Sequence, residues 1–311
     1  MYALFRKELA DHLDSLRFII IFAIALLLAG FSLYSAMGGL KDAIANFDGS
    51  NFVFLRLFVV SNGSVPSFAS FITLAGPVIG LILGFDAING ERNAGTLNRL
   101  LAQPIHRDAV INGKFLAGLF VISIIVLSMT LLVAGVGLLR TGIPPSGEEV
   151  VRLIVFLFFT IVYMAFWLGL SLLLSVVTRH AATSAILVGA FWVVFVLFFS
   201  LISSGLASAL FPADTLDMIE KSASFQLEFS RISPSVLFSE ATSTILDPTT
   251  RTLGITSLAD YQQYSAGIVG ILPLGQSLLL VWPHLVGMIA ETVVAFVVSY
   301  IVFMKQEIRG A

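Results

Sequence analysis

The chain has no cysteine and few charged residues. The absence of cysteine excludes disulfides, thiolate metal sites and lipidation at cysteine. Charged residues make up only 12% of the 311 residues, whereas 58% are apolar and the mean hydropathy is +0.99. This composition excludes a water-soluble globular protein. Because a chain in lipid satisfies its backbone hydrogen bonds within helices, we predict an all-α membrane protein.

Motifs for several chemistries are also missing. No G-x-x-x-x-G-K-[ST] loop occurs, and Gly113-Lys114 lacks both the earlier glycine and the following hydroxyl. We therefore predict that the chain is not an enzyme and cannot hydrolyse ATP alone. The four histidines are scattered without the spacing of metal ligands, so no metal site or cofactor is expected in this chain. Its net charge of −2 gives no indication of a nucleic-acid partner.

Six apolar runs are long enough to span a bilayer as helices. Their estimated bounds are 18–38, 68–88, 114–139, 152–177, 183–207 and 279–304. The first run follows a 17-residue charged segment, which favours a retained helix over a signal peptide. We divide the chain into an interface helix (1–17), spans one to five (18–207), an extracytoplasmic helical region (208–278), and span six with a short tail (279–311).

Basic residues are unevenly distributed between the two sides of this arrangement. With the N-terminus inside, cytoplasmic segments hold ten lysines and arginines in roughly 55 residues, against seven in roughly 110 outside. This difference has the direction of the positive-inside rule. We predict a multi-pass protein of the cytoplasmic membrane with both termini in the cytoplasm.

The first 17 residues form a pattern typical of an amphipathic helix. Their apolar side chains fall mostly on one face, with the charged residues elsewhere. The apolar face consists of Phe5, Leu9, Leu13 and Leu16. We predict a helix that lies in the inner membrane interface and contacts membrane lipid. The alternative is a charged flank that only orients the first span.

A polar island at 90–114 separates the second and third apolar runs. Thr96 can cap a helix, and Pro104 ends it after about two turns. Three leucines, at i, i+3 and i+4, then share one face: Leu97, Leu100 and Leu101. A helix this short needs a docking partner to be stable. The island carries a net charge of +2, which predicts a cytoplasmic location.

The island also resembles the first cytoplasmic loop of ABC-2 type transporter permeases. The residues that carry the resemblance are Glu91, Arg92, Gly95, Thr96, Leu97, Leu100, Leu101, Pro104, Arg107, Gly113 and Lys114. The amphipathic start and the Phe303–Arg309 ending extend it over most of the chain. Some similar permeases serve the maturation of a copper enzyme, nitrous oxide reductase, but no histidine or methionine pattern here carries that over.

The resemblance implies a membrane subunit of an ATP-driven exporter. In that family the segment at 90–104 is a coupling helix that rests on a separate ATPase, and ATP and Mg are bound by that partner. The implied assembly is a permease homodimer with two cytosolic ATPase subunits. Glu91, Arg92 and Arg107 would then belong to the contact that couples ATP hydrolysis to outward transport.

Two intramembrane features leave alternatives open. Gly76, Gly80 and Gly84 form a groove on span two, either a sliding surface or tight packing within one subunit. Glu291 lies mid-way along span six, where an unpaired carboxylate is costly. It either makes a structural hydrogen bond or supports a proton-coupled secondary carrier. A third hypothesis is a non-transporting sensor or scaffold with an ATPase partner.

The region between spans five and six is predicted to form a small external helical cap. One helix is expected from Thr215 to Ile232 and another from Ser233-Pro234 to Asp247-Pro248. The broken apolar run 266–280 suits a re-entrant or surface helix. Elsewhere, we expect Asp86 to lie beside Arg92 or Lys114, and Glu148-Glu149 to begin a solvated helix.

Overall fold

The computed structural model describes residues 2–45, 52–97, 106–212, 215–250 and 271–306, with no strand among them. The longer helices are α1 (Tyr2–Leu13), α2 (Leu16–Ala45), α4 (Phe68–Gly84), α6 (Arg107–Thr141), α7 (Gly147–Val177), α8 (Ala181–Trp192), α9 (Phe199–Leu210), α10 (Leu216–Ser230), α11 (Pro234–Leu246) and α12 (Leu274–Lys305). The short helices α3 (Arg56–Val59) and α5 (Asn89–Asn93) flank α4, and a π-helical segment (Val193–Phe198) joins α8 to α9.

Six helical segments of the described chain are long and apolar enough to cross a membrane, which confirms the predicted all-α membrane protein. They are Leu16–Gly39, Phe68–Asn93, Arg107–Thr141, Gly147–Val177, Ala181–Leu210 and Leu274–Lys305. Each of these helices continues past at least one of its predicted apolar bounds, and two of the resulting ends are capped. α6 ends at Gly142 in the left-handed conformation, and Ser146 with Glu149 forms a capping box at the start of α7.

Helix α7 lies at the centre of the bundle. Trp167, Tyr163 and Phe156 on this helix are fully buried. α4, α6, α11 and α12 all pack against it, whereas the fifth span (α8 to α9) is the least buried of the six. The core is therefore built around α7, which these four helices contact in common.

Helices α10 and α11 form a re-entrant hairpin. The chain reverses after α9, and α10 runs back along it, with Phe229 stacked on Phe199 at 5.6 Å between ring centroids. α11 then enters the bundle, where Phe238 stacks on Tyr163 in the middle of α7 at 4.4 Å. The helix bounds agree with the sequence, and α11 packs against α4, α7 and α12 of the bundle.

The π-helical segment contacts the turn between α10 and α11. A π-helical turn shifts the backbone hydrogen-bond register, and the carbonyl of Phe195 accepts hydrogen bonds from outside its own helix. The Ser233 and Ser235 hydroxyls donate to this carbonyl at 2.7 and 2.9 Å. These bonds satisfy polar groups that would otherwise be buried without partners. They fix the start of α11 against the fifth span.

The opposite end of the hairpin is held by Arg152 of α7. Its guanidinium is 0% exposed and donates to the carbonyls of Ile245 and Leu272, to the Ser277 hydroxyl and to the Glu148 carboxylate. The neighbouring Glu149 is also buried, because its carboxylate accepts the Phe54 backbone amide at 2.9 Å. The helix start at Glu148-Glu149 is as predicted, but Glu149 is not solvated.

Candidate functional site

The polar island and α1 meet at a buried ion-paired junction, the Lys114 junction, formed by Lys7, Glu8, Glu91 and Lys114. The Lys114 ammonium lies 2.8 Å from Glu8 Oε2 and 2.8 Å from Glu91 Oε1, and its side chain is 6% exposed. Lys7 lies 3.1 Å from Glu8 Oε1 and 3.8 Å from Glu91 Oε1. One lysine therefore joins α1, α5 and α6 through charge.

Close helix packing creates this junction. A Cβ added to Gly113 would lie 3.3 Å from the Leu4 side chain, so α1 crosses α6 where the latter has no side chain. Glu8 follows Leu4 by one turn and reaches Lys114, the neighbour of Gly113. Burial alone would raise the pKa of Glu8, but Lys114 and then Lys7 hold it below its ordinary value. The Glu8 carboxyl is consequently ionised at neutral pH.

The residues of α1 that are buried against the bundle lie beside its predicted apolar face. Leu4 and Glu8 are its buried residues, and Phe5, Leu9 and Leu13 are half-buried. Leu16 is 70% exposed because α1 ends at Leu13 and α2 begins beyond a break at Ser15. The Ser15 hydroxyl accepts the amide of Phe18 at 3.1 Å and so caps the start of α2.

Leu97 packs into its own subunit rather than presenting its side chain to a partner. It is 1% exposed and belongs to a cluster with Ile88, Val110, Val176 and Phe303. These residues come from the ends of four spans, so the leucine anchors the island to the bundle. Leu100, Leu101 and Pro104 of the predicted coupling helix lie outside the described residues.

Gly95 and Thr96 of the island lie at the surface. Gly95 has a positive φ of 68° and follows α5, which lets the chain turn into the helical residues Thr96 and Leu97. Both Gly95 and Thr96 are exposed, and the Thr96 hydroxyl donates to the Glu91 carbonyl at 3.2 Å. Residues 98 and 99, whose amides a capping Thr96 would accept, lie outside the described chain.

Two arginines of the island hold the end of α12. Arg92 donates to the side-chain oxygen of Gln306, and Arg107 donates to the Gln306 carbonyl at 3.4 Å. The Gln306 amide in turn donates to the Val176 carbonyl at 2.9 Å. The Phe303–Arg309 ending that carries part of the resemblance therefore contacts the island through Gln306. Arg309 lies outside the described residues.

Asp86 differs from its expected position. It pairs with Arg17 at the start of α2, not with Arg92 or Lys114. The reason is competition, since Lys114 is already held by two carboxylates and Arg92 by Gln306. The pair ties the first span to the end of the second.

The glycines of span two lie against α7 of the same subunit. A Cβ at Gly80 would lie 2.8 Å from Trp167 Cβ, and one at Gly84 would lie 2.7 Å from Ser171 Cβ. At Gly76 the nearest atom is Met164 Cε at 3.0 Å. Any larger residue would force the helices apart, so these glycines allow close packing within the subunit.

Glu291 lies in the middle of α12. Its Oε2 atom is buried and has no hydrogen-bond partner among the described residues. The structural hydrogen bond that the sequence suggested for this carboxylate is therefore not seen for that atom. Among all the residues that the structure describes, no group of three histidine or carboxylate side chains could hold a metal ion.

Sequence reasoning missed the partners of Lys114 and the role of Gln306. Glu8 is 106 residues from Lys114, and Gln306 is 214 residues from Arg92. A single signal was present: Glu8 follows Leu4 by four residues and so shares a face with it. That spacing indicates a buried carboxylate but does not identify the basic residue that pairs with it.

Comparisons with known proteins agree with the resemblance. The family described as ABC-2 family transporter protein matches residues 2–308. The chain is 38% identical over 116 residues to the Pseudomonas aeruginosa "Probable ABC transporter permease protein NosY", covering 37% of this chain and 38% of that protein. It is 37% identical over 83 residues to the protein of the same name from Stutzerimonas stutzeri, covering 24% of this chain and 30% of that protein. The matched segments therefore span well under half of both relatives.

Proposed function

The chain belongs to the ABC-2 transporter family, and we propose that it is the permease subunit of an ATP-driven exporter. In this proposal it lies in the cytoplasmic membrane with both termini in the cytoplasm. A separate ATPase binds ATP and Mg, and its movement drives outward transport of a substrate. The assembly contains two permease copies and two ATPase copies.

The observation that carries the proposal is the Lys114 junction beside an exposed turn. Gly95 and Thr96 are exposed, while Leu97 immediately after them is buried among the ends of several spans. If the ATPase displaces the exposed turn, α5 should move with it through the backbone, and α1 and α6 should move through their contacts with Lys114. In this proposal Leu97 positions the coupling helix, and Leu100 and Leu101 remain the proposed contacts with the ATPase.

A second copy is supported by how little of the fifth span is buried. Large apolar side chains on it, such as Ile186, Leu201 and Leu210, are more than half exposed. Two-fold symmetry would place the same face of both subunits together and could enclose a pathway between them. A protein cross-linked through this span should run as a dimer.

The coupling role is tested by purifying the permease with its ATPase and measuring substrate-stimulated ATP hydrolysis. Glu91→Ala and Leu100→Asp are expected to abolish the stimulation. Glu91→Ala leaves Lys114 paired with Glu8, so the bundle is expected to stay folded. Asp217→Ala, an exposed carboxylate on α10, is the matched control and should keep full stimulation. Unchanged stimulation in both island variants contradicts the proposal.

A proton-coupled secondary carrier is the second candidate, because Glu291 Oε2 is buried without a partner. A carrier would transport without an ATPase and would lose proton coupling in Glu291→Gln. The exporter would keep ATP-dependent transport in that variant. Vectorial transport of any substrate would also separate both candidates from a sensor or scaffold.

A further inference from the structure

A polar cavity and an apolar groove join at the end of the bundle that carries α1. The cavity has a volume of about 290 Å³ and is lined by charged residues of α1, the start of α2, α5 and α6. The groove has a volume of about 180 Å³ and lies between α2 and α4. Ile21 and Ile82 line both, so the cavity and the groove adjoin at these two side chains. Such a site matches a molecule with a polar head and an apolar chain.

The charges around the cavity leave one negative charge unbalanced. Four carboxylates, Glu8, Asp11, Asp86 and Glu91, line it. The three bases paired with them are Lys7, Arg17 and Lys114, so four negative charges against three positive charges leave −1. His12 also lines the cavity but adds no positive charge at neutral pH, because burial lowers its pKa.

One carboxylate oxygen still lacks a donor. Glu91 Oε1 accepts from Lys114, but Glu91 Oε2 is buried with no hydrogen-bond partner among the described residues. A buried carboxylate oxygen without a donor is costly. A group that complements this oxygen is a cation that can also donate a hydrogen bond, and a primary ammonium has both properties.

The groove is suited to a hydrocarbon chain that enters from the side. It is lined by Ile24, Leu28, Ala75 and Val78 among other apolar residues, and no polar residue of the described chain lines it. Ile24 and Val78 are 51% and 37% exposed, so the groove opens toward the surroundings of the bundle. In a membrane these surroundings are lipid tails.

We propose that this site binds one phospholipid with a primary-amine headgroup, with its ammonium against Glu91 and an acyl chain between α2 and α4. The lipid belongs to the leaflet at the α1 end of the bundle. It is a resident lipid that fills the space between the first two spans and the Lys114 junction. Its binding does not depend on ATP-driven transport.

Native mass spectrometry of the purified full-length protein tests the proposal. The probes are phosphatidylethanolamine, phosphatidylcholine and phosphatidylglycerol with identical acyl chains. We expect phosphatidylethanolamine to bind at least about tenfold more tightly than either of the others, a difference of about 1.4 kcal/mol. Phosphatidylcholine carries a cation without an N–H, and phosphatidylglycerol carries a negative charge. Equal binding of the three lipids overturns the proposal.

Three variants locate the site. Ala75→Phe fills the groove and should remove most phosphatidylethanolamine binding, whereas Leu74→Phe adds the same ring to the adjacent residue, which does not line it. Glu91→Gln keeps an oxygen for Lys114 but removes the unbalanced charge, so it should abolish the preference for phosphatidylethanolamine. Undiminished binding in Ala75→Phe, or an unchanged preference in Glu91→Gln, contradicts the proposed site. These readouts are independent of the ATPase.

Discussion

Each end of the bundle buries one base, but the two bases are held differently. Lys114, at the α1 end, bonds to two carboxylates from two other helices. Arg152, at the opposite end, bonds to two backbone carbonyls, a hydroxyl and one carboxylate. The Lys114 contacts depend on charge, whereas most Arg152 contacts depend on the shape of the guanidinium.

This difference fits the coupling role proposed for the α1 end. An ammonium has no fixed fork of donors, so α1 and α5 can shift around Lys114 while their charges stay paired. A planar guanidinium that donates to the carbonyls of Ile245 in α11 and of Leu272 just before α12 holds these two helices in one geometry. We therefore expect the helices at the α1 end to move during coupling and those at the Arg152 end to keep their positions.

The largest expected effect comes from removing the charge of Lys114. Lys114→Met leaves the buried Glu8 beside the partly exposed Glu91 with only the half-exposed Lys7 as a counter-charge, which should cost about 3 kcal/mol of unfolding free energy. Denaturant unfolding in one detergent measures it, with Lys221→Met on exposed α10 as the control, expected within about 0.5 kcal/mol. The double variant Lys114→Met with Glu8→Gln should recover part of the loss. If Lys114→Met loses no more unfolding free energy than Lys221→Met, Lys114 does not stabilise the junction as described.

An exchange of the two base types gives an intermediate effect and sharpens the comparison. Arg152→Lys keeps the charge but loses part of the donor fork, so it should cost about 1–3 kcal/mol of unfolding free energy. Lys114→Arg should cost less, because both carboxylates still meet a cation and the adjacent cavity has room for the larger group. The same unfolding measurement compares them. A larger cost for Lys114→Arg would reverse the assigned roles.

The smallest effect concerns acid sensitivity of the α1 end. Burial lowers the pKa of His12, so the unfolded chain takes up a proton on this group at a higher pH than the folded chain does. Stability should therefore fall as the pH drops below about 6.5. His12→Asn should reduce the difference in thermal midpoint between pH 7.5 and pH 5.5. The same pH difference in the variant and the parent protein would show that His12 has no part in it.

The sequence predicts the spans well because bilayer thickness fixes the length of an apolar helix. It misplaces their ends where a helix continues past its apolar part. α6 begins at Arg107, about two turns before the predicted span at 114, because hydropathy marks the apolar stretch and not the hydrogen-bonded helix. The hairpin bounds were predictable from Thr215 and Ser233-Pro234, which are local capping signals.

The depth of α11 could not be predicted in the same way. Its position depends on Ser233 and Ser235 meeting the carbonyl of Phe195, and no local pattern identifies that carbonyl as available. The burial of Leu97 could not be predicted either. Helical spacing assigns a side chain to a face, but the surrounding spans decide whether that face is covered.

The sequence by itself determined the membrane class, the six spans, the family and the location of the polar island. These properties follow from composition, run length and short motifs, which are local. Only the tertiary structure decided that Lys114 pairs with Glu8 and Glu91, that α11 enters the bundle, and that a polar cavity lies beside an apolar groove. Each of these joins residues far apart in the chain, and such contacts are set by how helices pack.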